Sequence, residues 1–359
     1  MPDRSLRLLA GPDALKSINR DGLRFDAVRV IAGASGGPKW LVLAGLDQFL
    51  ASEVLPALRP GVDLVGSSIG SWRHICLAQR EPSAALARFE RAYIEQAYET
   101  SPTPTEVTAT SQQILAMMLG DSGIDDVLGH PTLRQSIITV RSRGLTATES
   151  RARLAAALLL AAAANAGRRE WLTTFFSRAV FQDSRSQPAW LAEDGFKTSV
   201  TALSRDNLVD AVVASGSIPL VLAGVCDPVG APSGIYRDGG VIDYHLDLPL
   251  SSHNGITLFP HFYPTITPGW FDKRLSSRHA TPGNFRRVLL LCPSPQFVSR
   301  LPRSKIPDRN DFRDLSTDDR IRAWRHVTAE SRRLADELAE LVVNERVADI
   351  VEPLNLRRG

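Results

Sequence analysis

A serine between two glycines is the first residue in this chain with an obvious chemical use. It lies in Val65-Gly66-Ser67-Ser68-Ile69-Gly70-Ser71-Trp72, which has the form G-x-S-x-G. A serine hydroxyl attacks a carbonyl only when a base accepts its proton and N–H groups face the oxyanion that develops. A short apolar run precedes the motif and a helical pattern follows it, so the spacing predicts a sharp strand-to-helix turn with Ser68 at its tip. Gly66 and Gly70 allow the tight approach such a turn needs, and the helix N-terminus favours negative charge. A second glycine cluster, Gly33-Ala34-Ser35-Gly36-Gly37-Pro38-Lys39-Trp40, follows an earlier β-branched run. Gly36 and Gly37 permit their amides to approach a ligand at another helix start, so the loop reads either as an anion site or as a plain turn. It is not a phosphate loop of the G-x-x-x-x-G-K-[ST] type, because Pro38 replaces the second glycine and Trp40 replaces the hydroxyl residue.

The base is harder to find. The histidines are His74, His130, His245, His253, His261, His279 and His326, and none stands in an evident triad context. His74 follows Ser68 by six residues on the same expected helix and reads as a structural or surface residue. A carboxylate alternative is Asp238, in Tyr236-Arg237-Asp238-Gly239-Gly240, although Asp-Gly-Gly is equally the composition of an ordinary turn.

The elements that must position these residues alternate. Residues 27–32 read as a buried strand ending at Gly33. From Pro38 a helix carries Trp40, Leu41, Leu43, Ala44, Leu46 and Leu50, and residues 62–65 form a second strand. Strand, helix and strand in about forty residues make a βαβ crossover, so the expected fold class is α/β with a mainly parallel sheet between helical layers. In a parallel sheet both glycine loops leave at the same edge. Further helices are expected over 84–98, 151–164 and 206–214, and strands over 136–140 and 288–291. Eight prolines between 260 and 310 predict loops there, and a last helix is expected with Thr317 as N-cap and Asp318 and Asp319 in its first turn.

Of 359 residues, 42 are Lys or Arg and 39 Asp or Glu, and 42 − 39 leaves +3. So small an excess argues against a nucleic-acid partner. Cys76, Cys226 and Cys292 are scattered, which fits a reducing compartment and lacks zinc spacing. The patch Leu6, Leu8, Leu9, Ala10 is too short for a secretory signal. The longest apolar run, Leu154–Ala164, is about half of the ~20 residues a membrane span needs. A cytoplasmic protein, peripheral at a membrane surface at most, is the expectation. The Leu154–Ala164 run with Trp171, Phe175, Phe176, Phe181 and Trp190 reads as a buried helix with supporting aromatics, or as an apolar cap. The basic stretch between Arg274 and Arg303 reads as a solvated loop, or as a contact for anionic headgroups.

Taken together, these pieces resemble the patatin-like phospholipase family of lipid acyl hydrolases. Ser35-Gly36-Gly37-Pro38-Lys39-Trp40 is similar to the family's glycine-rich oxyanion loop, and Gly66 to Gly70 matches its serine motif. Asp238-Gly239-Gly240 matches its D-G-[GA] motif, and Ala214-Ser215-Gly216-Ser217-Ile218-Pro219 is similar to its A-S-x-A-x-P segment. Ser35 and Trp40 replace two glycines of the loop, and the segment Asp243 to Pro249 departs from the family's continuation after the aspartate. The resemblance implies a three-layer α/β/α fold over residues 1–359, with a motif-bearing core at about 24–250 and a C-terminal extension at about 251–359. It implies Ser68 as nucleophile and Asp238 as general base. Gly36, Gly37 and Ile69 would supply oxyanion amides, Lys39 a charge beside the loop, and Gly33, Gly66, Gly70, Gly239 and Gly240 the motif turns. It implies a lipid or other ester as substrate, with no metal or cofactor. Two readings stand beside it: a Ser-His-Asp esterase using His245, and a non-catalytic lipid-binding protein of the same fold.

Overall fold

The computed structural model describes residues 4–98, 102–186, 191 and 194–356. Strand β1 (Leu6–Ala10) leads through helix α1 (Pro12–Asp21) to β2 (Val28–Gly33). A 3-10 stretch over Gly37–Leu43 and α2 (Ala44–Phe49) follow, before β3 (Val62–Ser67). Helices α3 (Ile69–Leu77), α4 (Pro82–Glu95), α5 (Pro104–Leu119) and α6 (Gly123–Gly129) separate β3 from β4 (Leu133–Ser142). Next come α7 (Arg151–Gly167), β5 (Phe176–Gln182), β6 (Thr198–Ala202), α8 (Leu208–Gly216) and the pair β7 (Val225–Cys226) and β8 (Ile235–Asp238). The remainder holds β9 (Ile256–Pro260), β10 (Val288–Pro293), α9 (Pro295–Arg300), α10 (Asp311–Asp314), α11 (Thr317–Val343), α12 (Val347–Ile350) and β11 (Glu352–Pro353).

The sheet runs in the order β11-β1-β10-β9-β2-β3-β4-β5-β6, with β8 paired to β4 and β7 to β8. From β10 to β4 every neighbouring pair is parallel. Antiparallel pairs lie further out, at β1 with β10 and at β4 with β5 and β8. Every residue of β9 and β10 is buried, as expected of strands covered by helices on both faces. The result is a three-layer α/β/α arrangement.

The extension is fastened to the core beside the glycine loop. Trp40 stacks on Phe89 of α4 at 4.6 Å between centroids, Tyr93 meets Trp40 edge-on at 5.6 Å, and Tyr93 stacks on Trp324 of α11 at 5.9 Å. Apolar residues from both ends of the chain join one buried cluster.

Several expectations shift. The last helix is capped by Ser316, whose hydroxyl accepts from the Asp319 amide at 3.1 Å, while Thr317 is already helical. Helix α4 stops at Glu95, so Tyr98 lies beyond it. The Leu6–Ala10 patch is a strand, held by β10 and β11 rather than by its own length. Helix α7 is half buried: Leu154, Ala157, Leu158 and Ala161 face inward, while Leu159 and Leu160 are exposed, as is Trp171 after the helix. Phe176 and Phe181 are core residues of β5, and Trp190 lies outside the described residues. Among the described residues no helix is long and apolar enough to cross a membrane.

Candidate active site

Two side chains 170 positions apart meet because of a strand exchange on β4. Along β4, residues Leu133 to Ile138 pair with β3, and Ser67 is the last partner, opposite Ile138. The next residue, Thr139, pairs with Asp238. Strand β5 holds the other edge of β4 from Ser136 to Ser142, so β8 occupies the edge that β3 vacates when it turns into α3. Ser68 makes that turn with φ 56° and ψ −130°, a conformation costly for a residue with a Cβ and held here by its surroundings. Its Oγ donates to Asp238 Oδ2 at 2.6 Å, and Asp238 Oδ1 accepts from the Gly240 amide at 2.7 Å. Both side chains are almost fully buried.

A shell of small polar groups fixes this pair. Ser215 Oγ accepts from the Ser68 amide at 2.8 Å, donates to the Ile138 carbonyl at 2.7 Å, and lies 3.0 Å from Ser71 Oγ. The Ser217 carbonyl accepts from the Asp238 amide at 3.0 Å, and Ser35 Oγ donates to Ser67 Oγ at 3.0 Å. The segment Ala214 to Pro219 therefore grips both members of the pair. At Gly70 any side chain would drive into the Gly33 carbonyl, so the start of α3 and the end of β2 touch backbone to backbone. Gly66 and Gly239 are crowded likewise, and a Cβ on Gly240 would strike Ser35.

Burial raises the Asp238 carboxyl from its usual range to about 6, against the opposing pull of the Ser68 hydroxyl, the Gly240 amide and the more distant Lys273. A carboxylate so placed is a better base than an ordinary one and still ionises near neutrality. Lys39, on the same wall, is pushed down chiefly by its own burial.

Ser68, Asp238, Gly36, Gly37, Ile69, Lys39 and Gly240 all line one cavity of about 1040 Å³. Among the described residues the amides of Gly36, Gly37 and Ile69 donate no hydrogen bond within the protein, so they are open to a ligand. Gly37 has φ +54°, and its Cβ position is open space. Gly36 is different: a Cβ there would lie 2.5 Å from the Phe262 ring.

The histidines are not brought to the pair. His245 packs edge-on against His261 at 4.3 Å, accepts from the Thr267 amide at 2.9 Å through Nδ1, and does not line the cavity. His74 is wholly buried against Gly33 rather than at the surface, and burial holds it neutral. The sequence reading missed Trp270, Lys273, Arg309 and Phe312, which come from the extension and form part of the cavity wall. They sit in loops and short turns without periodicity, so no local pattern marks them. The hydrogen bonds of Ser215 were also missed, although the A-S-x-A-x-P likeness pointed to its segment. No family model matches the chain, and no curated protein matches it.

Proposed function

We propose that the protein is a serine ester hydrolase acting through Ser68 and Asp238. The observation that carries this reading is the 2.6 Å hydrogen bond from Ser68 Oγ to a carboxylate raised to about 6 by burial, at a strained turn beside three unengaged amides. Asp238 accepts the hydroxyl proton as Ser68 Oγ bonds to the carbonyl carbon. The amides of Gly36, Gly37 and Ile69 stabilise the oxyanion, a role in which one lost donor typically costs on the order of 100-fold in rate. The tetrahedral species collapses as the alcohol leaves with the proton from Asp238, and an acyl-Ser68 ester remains. Water then gives its proton to Asp238, its oxygen bonds to the acyl carbon, and the acid departs as Ser68 Oγ regains a proton.

The apolar part of the cavity, with Trp72, Ile114, Ile218 and Leu222, suits an acyl chain, and a lipid ester is the substrate class we favour. Such a substrate brings the protein to membrane surfaces transiently, from the cytoplasm. A fluorophosphonate probe tests the assignment. Labelling of the wild type, lost in Ser68→Ala and strongly slowed in Asp238→Asn, is the expected result. Equal labelling of Ser68→Ala overturns it, and loss of ester hydrolysis in His245→Ala with Asp238→Asn near normal would transfer the base role to histidine.

A further inference from the structure

Most buried basic side chains here have carboxylate partners: Arg73 with Asp47, Arg178 with Asp243 and Asp194, and Arg237 with Glu149. The wall of the cavity that holds Ser68 and Asp238 departs from this pattern. Lys39, Lys273 and Arg309 line it, and among the described residues none of them forms an ion pair. Rings are what the two lysines meet. Lys273 Nζ lies 3.9 Å from the Tyr244 centroid, and Lys39 Nζ lies 5.9 Å from that of Phe262. Asp308, a carboxylate lining the same cavity, pairs with Lys305 at 3.2 Å and attracts Lys39 only from beyond ion-pair distance. The three cations oppose one another: after burial, the charges of Lys39 and then Arg309 are what depress Lys273. Like charges gathered on a concave wall raise the local concentration of anions, and a bound anion relieves their repulsion. The apolar lining comes from elsewhere, with Val107 and Ile114 on α5 and Ile218, Val221 and Leu222 after α8.

An acyl chain alone gives such a cluster nothing to bind. We propose that Lys39, Lys273 and Arg309 form an anion subsite beside the Ser68–Asp238 pair, selecting esters whose alcohol part carries a carboxylate or a phosphate. The acyl part then lies against α5 and the turn at 218–222. The substrate assignment rests on the hydrolase reading above. Lys273 and Arg309 belong to the C-terminal extension, which the motif likeness does not cover, so the selectivity is a property of this chain.

Matched substrates test it. Kinetics are measured on meta-butyryloxybenzoate against meta-butyryloxybenzamide, and on monolauroylglycerol phosphate against monolauroylglycerol. The expected result is a preference for the anionic member of about tenfold or more in kcat/KM, in one pair or both, which also tells carboxylate from phosphate. That ratio falls several-fold in Lys273→Gln and in Arg309→Gln and survives in Lys273→Arg. Taking the ratio within each variant removes any loss shared by both esters. A wild-type ratio near one in both pairs, or a ratio unmoved by Lys273→Gln and Arg309→Gln, overturns the subsite. If neither pair is hydrolysed, the hydrolase reading fails by itself, and calorimetric titration of the wild type with phenyl phosphate decides the subsite separately. Binding weakened by Lys273→Gln supports it, and absence of binding overturns it.

Discussion

Asp238 carries two opposed consequences of one burial. Its carboxyl is neutral in the folded protein below about pH 6 and ionised above, whereas in the unfolded chain it ionises near 3.8. A base must be ionised, so kcat/KM for a neutral ester is expected to rise with pH through about 6 and then level. A profile flat from pH 5 to 8 in steady-state assays would exclude Asp238 as the group that titrates. Stability moves the other way. The unfolded chain loses this proton first, so the folded state is progressively disfavoured between about pH 4 and 6, by at most roughly 3 kcal/mol once fully above 6. Asp238→Asn is therefore expected to abolish most activity and yet raise Tm by a few degrees at pH 8, with the gain shrinking below pH 5. Differential scanning calorimetry at both values checks the sign. The oxyanion loop has its own residue-scale test. Gly37→Ala meets no atom and perturbs only a positive-φ backbone, while Gly36→Val strikes the Phe262 ring. Gly37→Ala is expected to lower kcat markedly with little loss of Tm, whereas Gly36→Val loses both.

At the scale of elements, the local parts of this site were readable and the long-range parts were not. The turn from β3 into α3 follows from Gly66, Ser68 and Gly70 standing between an apolar run and a helical pattern, all within about ten residues. Asp238 is another matter, because its place depends on β8 taking over the edge of β4 that β3 leaves at Ser67. Its residue type made it one carboxylate candidate in an Asp-Gly-Gly turn, and only the motif likeness tied it to Ser68; periodicity did not. Strands β1 and β9 escaped because five residues with few β-branched positions look like any apolar patch until a neighbour pairs with them. Lys273 and Arg309 escaped for a further reason, being delivered by loops whose course only the finished fold defines. The segment after α8 is where an element-scale prediction belongs. Ser215→Ala leaves the buried Ser68 amide without its acceptor, a loss worth about 1–3 kcal/mol. If that bond holds the nucleophile in its strained conformation, kcat drops about tenfold or more while KM changes little, and fluorophosphonate labelling slows in parallel. Unchanged kcat in Ser215→Ala would mean that the turn holds its own shape.

The whole molecule raises the question of whether residues 251–359 are an appendage or part of the machine. The motifs lie between residues 33 and 240, which invites the idea that this stretch folds alone. Sheet order argues otherwise. Strands β9 and β10 stand between β1 and β2, and β9 is the parallel neighbour of β2 on the side away from β3. Removing them strips β1 of its partner and leaves the largely buried β2 with one edge facing water and no ladder. Helix α11 packs over α2 and the 3-10 stretch after the glycine loop, and its Trp324 closes the aromatic column that begins at Trp40. A chain ending at residue 250 therefore loses main-chain pairing, a layer of the core and the cationic cavity wall together, a deficit far beyond the 5–15 kcal/mol by which a domain is normally stable. Such a truncation is expected to show no cooperative thermal transition and no fluorophosphonate labelling, in contrast to the full chain. A sharp transition with retained labelling would mean instead that the motif-bearing half builds the site unaided.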